Sequence, residues 1–233
     1  MKVSINQPAY LPWLGYFHRI AISDLHIVLD HVQFEKNSFT NRNKVRTKEG
    51  WCWLTVPLHT KGLYGNLEIN RVNINSQEEW GLRHWNTLRM NYARSPYFSE
   101  HAAFFENIYS QKWERLSDLL KETTLYLLQA LNITTPIRFS SEMNPQGNKD
   151  ELVLNLCRMA EAELYISGSL GRNYLREELF EREKIRVTYQ DYSHPVYPQI
   201  HPGFEPSMSV LDLLFNCGPD SHRIITEGQV VSL

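Results

Sequence analysis

The tightest constraint on how this chain folds lies at its start, where two short apolar runs bracket an amphipathic stretch. Val3-Ser4-Ile5-Asn6 has strand character and stops at Gln7-Pro8, because proline offers no N–H to a ladder and restricts the residue before it. After Pro12, the residues Trp13, Leu14, Phe17, Ile20 and Ala21 recur at helical spacing, and the helix is expected to run to Ser23. Leu25-His26-Ile27-Val28-Leu29 then reads as a second strand, apolar enough to be buried, ending at Asp30. Strand, helix and strand within about 30 residues are the size of a parallel βαβ unit.

The same alternation continues downstream. Gln33 to Lys48 reads as a polar loop, followed by strands at Trp51 to Leu58 and Leu67 to Ile74 that pair as a hairpin through Gly62 and Gly65. Trp80, His84, Leu88 and Tyr92 stand four apart and share one helical face. An apolar stripe from Phe104 to Leu131 predicts one or two helices, with a break near Ser110. Asn148 with Glu151 three residues on, and Ser209 with Asp212, mark helix starts; Gly218-Pro219 marks a stop. Strands at Ile137 to Ser140, Leu164 to Gly168 and Ile185 to Tyr189 alternate with these helices, and Asn173 to Arg182 also reads as helical. The class is therefore α/β, a mostly parallel sheet flanked by helices, with a small β-hairpin insertion and helical additions. Residues 1–233 read as one domain, with a helical subdomain at about 76–132.

Composition narrows the partners. Lys plus Arg number 24 against 26 Asp plus Glu, so no broad positive field draws a polyanion, and nucleic acid is not expected as the main ligand. No apolar run approaches a membrane span and the first residues are too short in apolar length for a signal peptide, so a cytoplasmic protein is expected. Cys52, Cys157 and Cys217 stand far apart and suggest neither disulfides nor a metal site. Cys157 reads as a buried mid-helix thiol and Cys217 as one at the wrong helix end for activation, so cysteine nucleophile chemistry is not expected. The 6 Trp, 12 Tyr and 10 Phe, many beside Pro, Gly, Asn or Gln, suit a lined pocket.

In an open parallel sheet, ligands sit beyond the carboxyl ends of the strands. Gln7-Pro8, Asp30, Ser140-Ser141-Glu142 and Ser167-Gly168-Ser169-Leu170-Gly171-Arg172 all fall there. The last segment is neither a Walker loop nor a dinucleotide fingerprint, but its small residues allow close approach and Arg172 adds a forked cation. Lys36, Asn41 and Arg42 crowd a basic, Asn-rich loop suited either to a polar anionic ligand or to solvent. His84 reads as a proton-transfer group or as a core histidine, and His194-Pro195-Val196-Tyr197-Pro198-Gln199 as a stiff pocket wall. Stretches near positions 7, 42 and 172 are expected to meet around one anion-receptive hollow.

Several ordered blocks carry a resemblance. Asn6-Gln7-Pro8-Ala9-Tyr10-Leu11-Pro12-Trp13-Leu14-Gly15-Tyr16-Phe17, Leu29-Asp30-His31-Val32-Gln33-Phe34, Asn41-Arg42-Asn43, Trp53-Leu54-Thr55-Val56-Pro57, Tyr165-Ile166-Ser167-Gly168, Gly171-Arg172-Asn173-Tyr174-Leu175 and Ser209-Val210-Leu211-Asp212-Leu213-Leu214-Phe215-Asn216 resemble the WbqC-like proteins. The resemblance implies a role in bacterial O-antigen or other surface-polysaccharide biosynthesis. The implied reaction is transfer of an acyl or aminoacyl group, such as glycine, to the amine of a nucleotide-linked sugar. A more distant likeness, to nucleotidylyltransferase-type α/β enzymes, implies a Rossmann-like sheet; their His-x-Gly-His element is replaced here by Trp13-Leu14-Gly15-Tyr16.

Under that reading Asp30 or His84 handles the proton, and Arg42 and Arg172 meet anionic groups. Gln7, Asn41, Tyr174 and Gln199 place the substrate, and Tyr10, Trp13, Lys36, Gly168, His194 and Asp212 complete the binding set. The donor, an activated acyl group or a nucleotide, is left open, and no metal is assigned. Two other readings stand beside it: nucleotidyl or adenylyl transfer, and a non-catalytic protein that binds a sugar nucleotide or assembles partners.

Overall fold

The computed structural model describes residues 1–62, 65 and 67–227. Its elements, in chain order, are β1 (Lys2–Asn6), α1 (Leu14–Ala21), β2 (Leu25–Val28), β3 (Arg42–Thr47), β4 (Gly50–Thr55), α2 (Trp80–Tyr92), α3 (Phe98–Ser110), α4 (Leu116–Ala130), β5 (Ile137–Phe139), α5 (Ser140–Met143), α6 (Lys149–Met159), β6 (Leu164–Ser167), α7 (Glu177–Arg182), β7 (Arg186–Tyr189), α8 (Val210–Cys217) and α9 (Ser221–Glu227).

Five strands form one parallel sheet in the order β5-β2-β1-β6-β7. The chain builds outward from β1 to β2 and β5, then returns to the other side of β1 for β6 and β7, the doubly wound pattern. Alternation sorts the side chains by face. Val3, Ile5, Leu25, Ile27 and Tyr165 pack on Leu152, Val153 and Leu156 of α6 and Phe180 of α7. Each such buried aliphatic side chain contributes about 2 kcal/mol. Ser4 and His26 point to the opposite face, toward α1, where Ser4 Oγ lies 2.8 Å from His26 Nδ1 and the Tyr16 ring meets the imidazole edge-on. A larger core joins α1, α2, α3, α4, α8 and α9 with the hairpin. No helix among the described residues is long and apolar enough to cross a membrane.

The hairpin is real, but its strands differ from the expected pair. β3 pairs antiparallel with β4, from Arg42 opposite Thr55 to Thr47 opposite Gly50, reversing through Lys48-Glu49. Gly50 has a φ of +130°, which an L side chain rarely adopts. The 42–47 segment is polar in composition, yet Asn43, Val45 and Arg46 are buried, and the two polar side chains each reach a carbonyl distant in the chain. Asn43 Nδ2 donates to the Leu11 carbonyl at 2.7 Å, and the Arg46 guanidinium donates to the carbonyls of Thr47, Gly50 and Pro202. The 67–74 stretch keeps isolated bridges, Gln33 to Glu68, Leu58 to Ile74 and Asn73 to Arg115, around a 3-10 turn at Ile69–Arg71. Leu63, Tyr64 and Asn66 of the expected connection lie outside the described residues. The long apolar stripe does divide, into α3 and α4.

Ser209 caps α8, accepting from Leu211 N at 3.3 Å, whereas Asn148 makes no side-chain cap on α6. Asp150 carries that helix end instead, accepting from Glu151 N and from two nitrogens of Arg176. Asp212 does more than favour a helix start. Fully buried, its carboxylate accepts from Tyr92 Oη and Tyr197 Oη at 2.9 Å each and from Gln199 Nε2 at 2.7 Å. Tyr92 Oη also accepts from Arg46 N, so one carboxylate ties α8 to α2, to β3 and to the 197–199 segment. Replacing Asp212 by alanine strands two hydroxyls and a carboxamide, and the expected loss is about 3 kcal/mol in urea unfolding, against about 1 kcal/mol for Tyr197→Phe. Equal losses in the two variants would contradict a knot centred on the carboxylate.

Candidate functional site

At the carboxyl ends of β1, β2 and β5 lies a cavity of about 210 Å³. Val28, Ile137 and Phe139 come from the sheet, Pro8 from the turn after β1, Tyr16 from α1, and Lys121 and Asp118 from α4. A larger hollow, about 460 Å³, opens between α2 and α3 beside Trp80, Trp85 and Glu106, away from the strand ends. Volume alone would choose it; the convergence of strand termini and buried polar groups favours the smaller one.

Asp30 is the polar centre of that cavity. It is 6% exposed, and its Oδ1 accepts from Ser140 Oγ at 2.9 Å and Ser141 N at 2.9 Å, while Oδ2 accepts from Ser141 Oγ at 2.7 Å. The backbone explains this: β2 and β5 are parallel neighbours, so the residues that follow them emerge side by side. Ser140 Oγ also lies 2.6 Å from His31 Nδ1. The Asp30 carbonyl accepts from Asn70 N, and Asn70 Oδ1, in the cavity wall, is buried without a hydrogen-bond partner. Lys121 Nζ stands 4.4 Å from the Phe139 ring centroid and 4.0 Å from Glu142 Oε1. A fixed carboxylate, an unpaired amide oxygen and an ammonium thus share one small space. That arrangement can hold an amine donor and accept a proton from it.

On the β6 side of β1 the strand ends also part. Gly168 follows β6, and a Cβ placed on it would overlap the Arg19 guanidinium of α1. Arg19 is mostly buried, its Nε has no hydrogen-bond partner, and among the described residues no carboxylate pairs with it. Burial pushes its guanidinium below the usual arginine range, partly offset by Tyr165, Tyr16 and Tyr174 nearby.

The sequence-predicted residues fall into several groups. Asp30 lines the cavity, and Gln7 is exposed at the end of β1 just before its Pro8 wall. Gly168 and Tyr174 neighbour Arg19, and Arg172 lies 4.5 Å over the Tyr189 ring at the β7 edge. Tyr10 and His84 meet in the helical core, where Tyr10 Oη is 2.9 Å from His84 Nδ1 and 2.7 Å from Tyr109 Oη. Gln199 joins Asp212, and His194 Nε2 accepts from Ser207 N. Asn41 Nδ2 donates to the Val56 carbonyl at the hairpin base. Arg42 donates to the Asn37 carbonyl and lies 4.5 Å over Trp53, and Lys36 is exposed in the preceding loop. Trp13 precedes α1, bridged to Ser209. Neither Arg42 nor Arg172 lines the cavity at Asp30.

Sequence reasoning passed over Tyr16, Arg19, Asn70 and Lys121. Tyr16 and Arg19 stand three apart on α1 and so share a face. A cation on the stripe that turns toward the sheet was the available signal. No group of three or more His, Cys, Asp or Glu among the described residues stands close enough together to hold a metal ion.

Comparison with known proteins gives one family. The model of the WbqC-like protein family matches residues 7–224. An uncharacterized protein of Mycobacterium tuberculosis, Rv1507c, is 37% identical over 222 residues, covering 94% of this chain and 95% of that protein. No solved structure matches the chain significantly.

Two buried histidines make the stability of the fold depend on pH. Burial lowers His84 and His26 from the ordinary 6.5 to about 3, with Arg19 adding to the effect at His26. The Thr55 backbone and Tyr10 occupy the His84 ring, so it stays neutral in the core. In the unfolded chain both rings take a proton below about 6.5, so stability is fully present above that pH and is lost as the pH falls toward 3. Each histidine is expected to contribute about 1.4 kcal/mol per pH unit in that window. Urea unfolding of wild type and His26→Gln between pH 7 and pH 5 checks this, the variant giving the shallower decline. Parallel declines would contradict it.

Proposed function

The chain belongs to the WbqC-like protein family, and on that premise we propose that it is a transferase of surface-polysaccharide or O-antigen biosynthesis, acting in the cytoplasm. It joins an activated acyl or aminoacyl group, such as glycine, to the amine of a nucleotide-linked amino sugar. The observation that carries this reading is Asp30, a buried carboxylate gripped by Ser140 and Ser141 in a cavity at the strand ends. Amide formation makes an N–C bond, breaks the bond from the acyl carbon to its leaving group, and releases one proton from the amine. Asp30 holds the amine and takes that proton; Asn70 Oδ1 offers a second acceptor that orients it. Lys121 supplies positive charge for the oxyanion that develops on the acyl carbonyl. Of the two proton-handling candidates, Asp30 is preferred because His84 is occupied by Tyr10 and Thr55.

The doubly wound strand order favours a second reading, nucleotidyl transfer, which would release pyrophosphate. One assay separates the two. The full chain is incubated with nucleotide-linked amino sugars and a panel of activated acyl and glycyl donors, and masses and pyrophosphate are followed. The expected result is an acyl mass increase on the sugar, reduced about 100-fold or more in kcat by Asp30→Asn. No mass increase across the panel, or an Asp30→Asn variant as active as wild type, would overturn the reading. Pyrophosphate release without acylation would select the second one.

A further inference from the structure

We infer that the crevice between β1 and β6 is a seat for a phosphoryl oxyanion, with Arg19 as its cation. Three observations converge there. First, the crevice is the point where the strand order reverses, so the chain leaving β1 passes to α1 on one face of the sheet and the chain leaving β6 passes to α7 on the other. Second, Arg19 is largely withdrawn from water with no carboxylate among the described residues to meet it, and Gly168 is the small residue that makes room for its guanidinium. A buried cation without a counter-ion is costly, and an oxyanion bound against it removes that cost. Third, polar atoms on this face of the sheet lack partners: Asn6 Nδ2 and Arg19 Nε are both buried without one, and the fully buried His26 has an unpartnered Nε2 beneath.

The chemistry of the donors selects the ligand. A guanidinium fork, an amide NH₂ and the hydroxyls of the buried Tyr16 and the half-exposed Tyr174, both of which interact electrostatically with Arg19, are donor-rich, and both phenols are held above their ordinary range and so stay protonated, as donors. Such a set suits a group with three or more acceptor oxygens better than a carboxylate with two. Tyr16 also lines the Asp30 cavity, so an anion here lies beside the proposed transfer site. The seat does not depend on the acyl-transfer reading: anion binding without transfer would defeat that reading and leave the seat intact.

The test uses the full chain and three probes, inorganic phosphate, pyrophosphate and acetate, in calorimetric titrations at matched low ionic strength. Phosphate and pyrophosphate are expected to bind, acetate more weakly. Arg19→Met is expected to weaken pyrophosphate binding roughly tenfold or more and Arg19→Lys by less, because an ammonium lacks the fork. Gly168→Ala keeps the charge but displaces the guanidinium, and should weaken binding in a chain whose backbone conformation at 168 tolerates alanine. Arg89→Gln, an exposed change on α2, should bind as wild type does. Absence of phosphate and pyrophosphate binding, tighter binding of acetate, or unchanged binding in both a folded Arg19 variant and Gly168→Ala would overturn the inference. If Arg19→Met does not fold, Gly168→Ala and the wild-type titrations decide.

Discussion

Hydrogen bonding along both edges of β1 is the constraint on which the rest of the structure depends. Val3 to Asn6 pair with β2, Lys2 to Ser4 pair with β6, and both ladders are parallel. A parallel neighbour has to be reached by a crossover, so β1 leads into α1 on one side and is met again much later on the other. Parallel pairing aligns all the carboxyl ends, which gathers the turns after Asn6, Val28, Phe139 and Ser167 at one end of the sheet. Asp30, Ser140 and Ser141 touch for that reason alone, although more than a hundred residues separate the first from the others. A different strand partner for β1 would scatter them.

The centre of this sheet is also where its polarity is least expected. A strand covered on both faces usually carries an unbroken apolar run, and Ser4 and His26 interrupt it. Ser4 and His26 bond to each other, which removes part of the cost of burying them, and Tyr16 closes over the imidazole. The helix above contributes Arg19 to the same face. A serine and a histidine beneath one short helix, and an arginine carried on it, add nothing to hydrophobic burial, so the sheet gives up apolar contact along the line that leads to its carboxyl end. Stability is recovered elsewhere, through the apolar face against α6 and through the Asp212 knot that fastens the hairpin.

How much of this could be read from the residues follows from how local each signal is. The βαβ opening was legible because apolar spacing and proline act within a few residues. So was the division into α3 and α4. The β3 strand was not, because its buried members include Asn43 and Arg46, whose partners are carbonyls at Leu11 and Pro202. Nothing near position 46 announces those acceptors. Asp30 could be placed at a strand end, but the grip of Ser140 and Ser141 on it depends on strand order. Asp212 was visible as an acid at a helix start, while its three donors come from α2 and from the 197–199 segment. Arg19 was passed over because a single cation in an amphipathic helix usually faces water.

The contrast among the cations shows why that last residue matters more than its more conspicuous relatives. Arg42 lies on Trp53, Lys44 on Trp51, and Arg172 on Tyr189, each sharing its charge with an aromatic face. Cation–π contact partly satisfies these groups, and solvent and salt screen those that stand in the open, as Arg172 does. An anion approaching them gains little beyond what water already supplies. Arg19 is surrounded instead by phenol rings and a glycine backbone, in a medium where an unscreened charge acts at several times its strength in water. The attraction a cation offers a ligand is set by what the protein has failed to provide it; Arg42 also buries an unpartnered Nε but has Trp53 and the Asn37 carbonyl against its guanidinium, so among these four cations the deficit is greatest at Arg19, beside the point where the sheet reverses its order.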